Sequence, residues 1–138
     1  MTRRALREHC FKMLFSTNFC TPSEAKEQID AYLCEVPDEE DESPEFSEEQ
    51  RELCRERVAA VLTKLAEIDE TLTQASSGWS LRQMGRVELT ILRLACYELR
   101  FDESIPDKVA INEAVELAKK FGGDEAPSFV NGVLAKLV

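Results

Sequence analysis

Three arginines fall within the first seven residues, in MTRRALREHC. Arg3 and Arg7 are four positions apart and Arg4 is offset by one, so on a helix the three share one edge. A guanidinium fork takes two phosphate oxygens at once, which suits this edge to a polyanion. Cations at a helix N-terminus also oppose the macrodipole, a local cost that an anionic ligand would relieve. A solvated helix face is the plain alternative. Near the other end, Lys119 and Lys120 close a helical stretch, and Phe129 lies just beyond Pro127. Lysines suit a helix C-terminus anyway, and Phe129 could simply be core. Readers of single-stranded RNA nevertheless combine basic grooves with aromatic faces. Arg3, Arg4, Arg7, Lys119, Lys120 and Phe129 are the residues such a ligand could use, with solvated helix faces and core packing as the open alternatives.

Other chemistries find little support. The five cysteines, Cys10, Cys20, Cys34, Cys54 and Cys96, contain no C-x-x-C pair. The one histidine, His9, adjoins Cys10, and adjacent helical residues do not face one site. The cysteines read as reduced, mostly buried small hydrophobes, with no metal or cofactor expected. None of the five glycines (Gly78, Gly85, Gly122, Gly123, Gly132) sits in a phosphate-loop or dinucleotide-binding frame. A single histidine cannot assemble a convincing nucleophilic triad. Carboxylate pairs such as Glu113 and Glu116 read as a solvated helix face. An enzyme is not expected.

The elements that must carry the basic residues are helical throughout. Thr2 can cap a helix over about residues 3–18, with Ala5, Cys10 or His9, Met13 and Leu14 inward. TPSE at Thr21 is a capping box with proline at the first helical position. The stretch PDEEDESPEF is an acidic loop that charge repulsion keeps extended. SEEQ at Ser47 is a second capping box, and the apolar stripe Leu53, Val58, Val61, Leu62, Leu65, Ile68, Leu72 predicts one long helix up to SSG. Ser80 opens a short turn with Trp79 ahead of it. RVELTILRLACYEL then places Val87, Ile91, Leu94, Ala95 and Leu99 on one face. The break at Ile105–Pro106 precedes DKVAINEAVELAKKFGG, with Ile111, Ala114, Val115, Ala118 and Phe121 as its stripe and Gly122–Gly123 as its cap. No segment alternates with period two, so six or seven helices and no sheet are expected.

The closing SFVNGVLAKLV carries the one conflict. Asn-Gly between apolar residues is a strong hairpin signal, yet Phe129, Val130, Val133, Leu134 and Leu137 form a helical stripe. With no partner strand available, a helix is the better reading. Gly132 is then expected to be a notch for a neighbouring backbone, and Asn131 a buried polar group that needs a partner.

Charge is unevenly spread. The net charge is −10, but residues 1–20 hold four basic side chains against Glu8, whereas residues 21–70 hold 5 basic and 17 acidic ones. An acidic total therefore does not argue against a local nucleic-acid patch. No apolar run approaches a membrane span, and the N-terminus lacks the apolar segment of a signal peptide, so a cytoplasmic protein of one domain is expected.

Several motifs together resemble a known family: RRALREHCFKMLF as an opening helix, RVELTILRLACYEL as a central signature, and IPDKVAINEAVELAKKFGG with FVNGVLAKL as a closing pair. The chain is similar to the NusB family of transcription antitermination factors. The resemblance implies an all-α fold of two small packed three-helix bundles, at about residues 1–75 and 79–138. It implies a non-catalytic protein that pairs with the ribosomal protein NusE, binds boxA RNA and joins an RNA polymerase antitermination complex serving ribosomal RNA operons. It carries RNA contact onto Arg3, Arg4, Arg7, Lys119, Lys120 and Phe129, and partner contact onto Leu81, Arg86 and Glu88. It also suggests that Asn131 bonds across to the preceding helix through Asn112 or a backbone carbonyl. A homodimer with an occluded RNA edge is the alternative; an RNA cytosine methyltransferase fragment is disfavoured because no cofactor-binding αβ unit follows.

Overall fold

Side chains close the first turns where the sequence places caps. Thr2 Oγ1 accepts the Ala5 amide at 3.0 Å and starts α1 (Arg3–Ser16). Ser47 and Gln50 cap each other: the Gln50 amide donates to Ser47 Oγ at 3.2 Å and the Ser47 amide to Gln50 Oε1 at 3.1 Å, opening α3 (Glu48–Thr63). Thr21 and Glu24 form the same reciprocal pair around a short 3-10 turn that leads into α2 (Ala25–Glu35). Ser80 and Gln83 do so ahead of α5 (Arg86–Phe101). Each such cap satisfies amides that the helix itself leaves orphaned.

The computed structural model describes residues 2–35, 46–77 and 79–138. The remaining helices are α4 (Leu65–Ala75), α6 (Asp107–Phe121) and α7 (Ala126–Ala135), and no strand occurs among the described residues. The chain is all-α, as the missing period-two alternation predicts. The acidic loop expected at 37–46 lies outside the described residues except for Phe46, which is buried. Gly78 of the expected SSG stop also lies outside them.

The single long helix expected from SEEQ up to SSG is two helices. Lys64, at φ −99° and ψ 13°, leaves the helical region and separates α3 from α4. The chain divides into two compact units just there, up to Leu62 and from Thr63. The division expected near residues 75–79 therefore falls earlier. Continuous periodicity hid the break, because Val58, Val61, Ile68 and Leu72 are all buried and keep one spacing across it. What changes is the partner: α4 packs on α5 and α7 of the second unit.

In the first unit α1 packs on α2, and Met13, Leu14, Ile29, Leu33, Cys54 and Val58 are buried. In the second, α5 is the central helix, in contact with α4, α6 and α7. It buries Ile91, Leu92, Leu94, Ala95 and Cys96, more than one face, as a helix enclosed by others must. Its buried Thr90 turns inward on its own helix, donating from Oγ1 to the Arg86 carbonyl at 2.7 Å. The fully enclosed line of α6 is Ala110, Ala114 and Ala118, while Ile111, Val115 and Phe121 are only half-buried. Small residues four apart make a flat seam along which helices approach closely.

The last helix corrects two expectations. Asn131 and Asn112 are both exposed, so they form no buried polar pair. A Cβ at Gly132 would meet no atom within 4 Å, so Gly132 is not a notch. The stripe Val130, Val133, Leu134 already fills the interface, and the Asn-Gly pair falls on the opposite, solvated side. The close approach occurs instead at Gly122, where a Cβ would lie 2.6 Å from Ala126 Cβ and 2.9 Å from the Ala118 carbonyl oxygen. Gly122 ends α6 with an extended backbone (φ −99°, ψ 179°), so it is small for reasons of space and not of dihedral freedom.

Candidate nucleic-acid and partner interface

The first basic edge is built by the start of α1. Arg3 and Arg4 are exposed and Arg7 is half-buried, and the first turn holds no acidic residue to offset the dipole. Arg4 and Arg7 each interact with other groups of the protein. The opposite face of α1 is anchored. His9 Nδ1 lies 2.8 Å from the Tyr32 hydroxyl, and the His9 ring stacks on Phe46 with centroids 4.2 Å apart and planes 9° apart. Arg51 holds Phe46 in turn: its Nε donates to the Phe46 carbonyl at 2.9 Å, its Nη1 donates to the Leu33 carbonyl, and its guanidinium lies 4.8 Å from the Phe46 ring centroid. Burial, followed by the charge of Lys12, pulls the His9 pKa below its ordinary value. His9 thus adds no charge to the arginine edge at neutral pH.

The second set of residues belongs to the other unit. Lys119 and Lys120 are exposed at the end of α6. Lys119 Nζ lies 3.2 Å from Glu116 Oε2, and Lys120 Nζ is 5.6 Å from the Phe121 ring centroid. Phe129, on α7, is half-buried and meets the Trp79 ring edge-on, with centroids 5.8 Å apart and planes at 69°. Trp79 is 53% exposed. Two residues before Trp79, Ser77 Oγ accepts from Lys136 Nζ at 2.8 Å. Trp79 and Lys136 were not among the residues that sequence reasoning singled out. The available signal was a lone tryptophan directly ahead of a capping turn, where an apolar ring has no helical stripe to join.

Of the three partner candidates, Arg86 is exposed at the first position of α5, and Leu81 is half-buried in the preceding turn. Glu88 is half-buried and turned toward its own unit. Its carboxylate covers Gly85, and its Oε2 lies 3.5 Å from where a Cβ of Gly122 would stand. It therefore reaches from the start of α5 to the α6–α7 corner. Among the described residues no group of three His, Cys, Asp or Glu could hold a metal ion.

The arrangement defines a class: an all-helical protein of two units, with an arginine edge at the start of the first and, on the second, a pair of exposed lysines and an exposed tryptophan set against a half-buried phenylalanine. The chain belongs to the NusB family, whose family model matches residues 4–138. It is 51% identical over 138 residues to the transcription antitermination protein NusB of Lachnoclostridium phytofermentans, covering 100% of this chain and 99% of that one. It is 46% identical over 136 residues to the protein of the same name from Agathobacter rectalis, covering 99% and 98%. Among solved structures, T. maritima NusB superposes with a TM-score of 0.84 at 30% identity over 99% of this chain and 90% of that one. NusB in a crystal structure of antitermination factors NusB and NusE in complex with dsRNA gives 0.75 at 25% identity over 98% and 94%.

Proposed function

We propose that this protein is a transcription antitermination factor that pairs with ribosomal protein NusE, binds boxA-type RNA and supports processive transcription of ribosomal RNA operons in the antitermination complex of RNA polymerase. The observation that carries the reading is full-length kinship with proteins named for antitermination. The structure of NusB and NusE with RNA supplies the partner classes. The protein acts in the cytoplasm, where RNA is made, and contributes binding without catalysis. Among the described residues no helix is long and apolar enough to cross a membrane.

In this reading Arg3, Arg4 and Arg7 hold phosphates, since guanidinium forks tolerate any base sequence. Lys119 and Lys120 add charge on the second unit. Trp79 and Phe129 offer a base-stacking surface, worth about 1–3 kcal/mol per stacked base. Leu81, Arg86 and Glu88 serve NusE, with Glu88 shaping the surface from behind through its seat against Gly122.

The test is fluorescence anisotropy of a short boxA-like RNA with the protein alone, with NusE alone and with the mixture. Tighter binding by the mixture is expected, weakened at least tenfold in Arg4→Ala/Arg7→Ala. Equal binding by wild type and variant would remove the RNA from α1. A folded protein that binds RNA in neither form would sink the antitermination reading for this chain.

A further inference from the structure

The second unit carries an aromatic face that its own packing leaves open. Trp79, the single tryptophan of the chain, is 53% exposed, although burying a ring of its size would remove more apolar surface from water than burying most other side chains. Its amide donates to the carbonyl of Ser76 at 2.8 Å, and Ser76 is buried at the end of α4, so the ring stands on a turn fixed at its base. Two side chains of α7 reach this segment. Phe129 meets the indole edge-on, and Lys136, which ends α7, donates from Nζ to Ser77 Oγ at 2.8 Å. Phe129 and Lys136 are two helical turns apart, so they share one face of α7, about 10 Å from each other along its axis. With the ring planes at 69°, a flat ligand cannot stack on both rings, and Trp79 is the more exposed of the two. Charge along α7 has a direction: Asp124 and Glu125 are exposed at its start and Lys136 at its end. The Lys136 ammonium bonds a neutral hydroxyl, which leaves its charge uncancelled.

We propose that Trp79 and Lys136 form a nucleotide subsite for single-stranded RNA, in which one unpaired base stacks on the indole face and a neighbouring phosphate is held by the Lys136 ammonium. This subsite rests on the antitermination reading and adds to it the residues that choose an unpaired strand. A base inside a duplex is covered on both faces by its neighbours, whereas an unpaired base can leave the stack and lie on an aromatic ring. Stacking tolerates any base, because every base has a flat face. The phosphate is drawn to the Lys136 end of α7 and away from Asp124 and Glu125, which sets the side on which the strand leaves the ring. Phe129 holds the indole by its edge contact. The arginines of α1 grip phosphates in either form of RNA, so strand selection falls to Trp79.

The experiment follows a short boxA-like RNA by fluorescence anisotropy, single-stranded and annealed to its complement, with the full chain mixed with NusE. Trp79→Ala should weaken binding of the single strand about tenfold to a hundredfold and leave the duplex unchanged. Trp79→Phe, which keeps an aromatic face, should recover most of the loss. Lys136→Ala should weaken the single strand and flatten the fall of log K with log salt by about 0.7, as expected for one phosphate contact. The emission of Trp79, taken as the difference between the wild-type and Trp79→Phe mixtures, should be quenched by the single strand and not by the duplex. A wild-type mixture that binds the single strand without quenching, or a folded Trp79→Ala that binds it equally well, would overturn the subsite and leave the antitermination reading standing. A wild-type mixture that binds no RNA would sink both. Equal losses for single strand and duplex would overturn the selection of unpaired bases, and an unchanged salt slope in Lys136→Ala would take the phosphate away from Lys136. Quenching is read on the wild-type chain, so the outcome does not depend on Trp79→Ala folding well.

Discussion

The His9 imidazole lies parallel to the Phe46 ring with its Nδ1 2.8 Å from the Tyr32 hydroxyl. Burial pushes the Tyr32 pKa upward, so the phenol keeps its proton, which fits a hydroxyl donating to a neutral ring. Burial is also the largest influence on His9, and Lys12 and Arg51 lower its pKa further while Glu8 opposes them. Because the folded state binds the His9 proton less readily than the unfolded state, this contribution is fully present above the ordinary value of 6.5 and is lost as pH falls below it. The melting temperature should therefore drop between about pH 7.5 and about pH 5.5, a window in which few other side chains titrate. In His9→Gln the drop should be smaller. An identical pH dependence in the two proteins would remove His9 from the account. Adjacency to Cys10 and membership of the inward stripe were legible in the sequence, but the stacking partner was not. Phe46 lies 37 positions away in the chain, and only the packed unit brings it under the ring.

Helix pairing in the second unit depends on one charged contact and one small residue. Arg93 Nε and Nη2 donate to Asp69 Oδ1 and Oδ2, both at 2.9 Å, joining α5 to α4. With Arg93 only 17% and Asp69 30% exposed, this bidentate pair is screened less than an ordinary surface ion pair. Arg93→Ala should cost about 1–3 kcal/mol in urea unfolding. A double-mutant cycle with Asp69→Ala should recover most of that as coupling, and additive losses would refute the pairing. The glycines give a second contrast. Gly122→Ala pushes a methyl group against Ala126 Cβ and the Ala118 carbonyl, so the α6–α7 corner must shift, at a cost of about 1–3 kcal/mol. Gly132→Ala, in open space on a helix, should instead stabilise by about 0.5–1 kcal/mol. A destabilised Gly132→Ala would restore the notch that the sequence suggested. In the sequence Gly122 read as part of a helix-ending cap and Gly132 as the notch. Telling them apart required knowing which face α7 turns inward, and Phe129, Val130 and Leu137 leave that face ambiguous by a fraction of a turn.

For the molecule as a whole, a net charge of −10 coexists with a basic first helix. Repulsion from distant carboxylates is screened beyond roughly 10 Å at ordinary salt, so local arginines can still dominate RNA contact. With about three to five phosphate contacts, log K should fall against log salt with a slope of about −2 to −3.5 for a single strand. Titrating the RNA affinity of the NusE mixture from low to moderate salt checks this, and a slope near zero would mean that charge does not carry the binding. The helical class, the capped starts at Thr2, Thr21 and Ser47, and the basic edge were all determined by the sequence alone. Caps, periodicity and charge are local, each acting within one or two helical turns. The break at Lys64, the pairing of Trp79 with Phe129 and the inward turn of Glu88 were decided by tertiary structure. Each depends on which surface of one helix meets a residue distant in the chain. Spacing along a helix tells which residues share a face, but only packing selects what that face will touch.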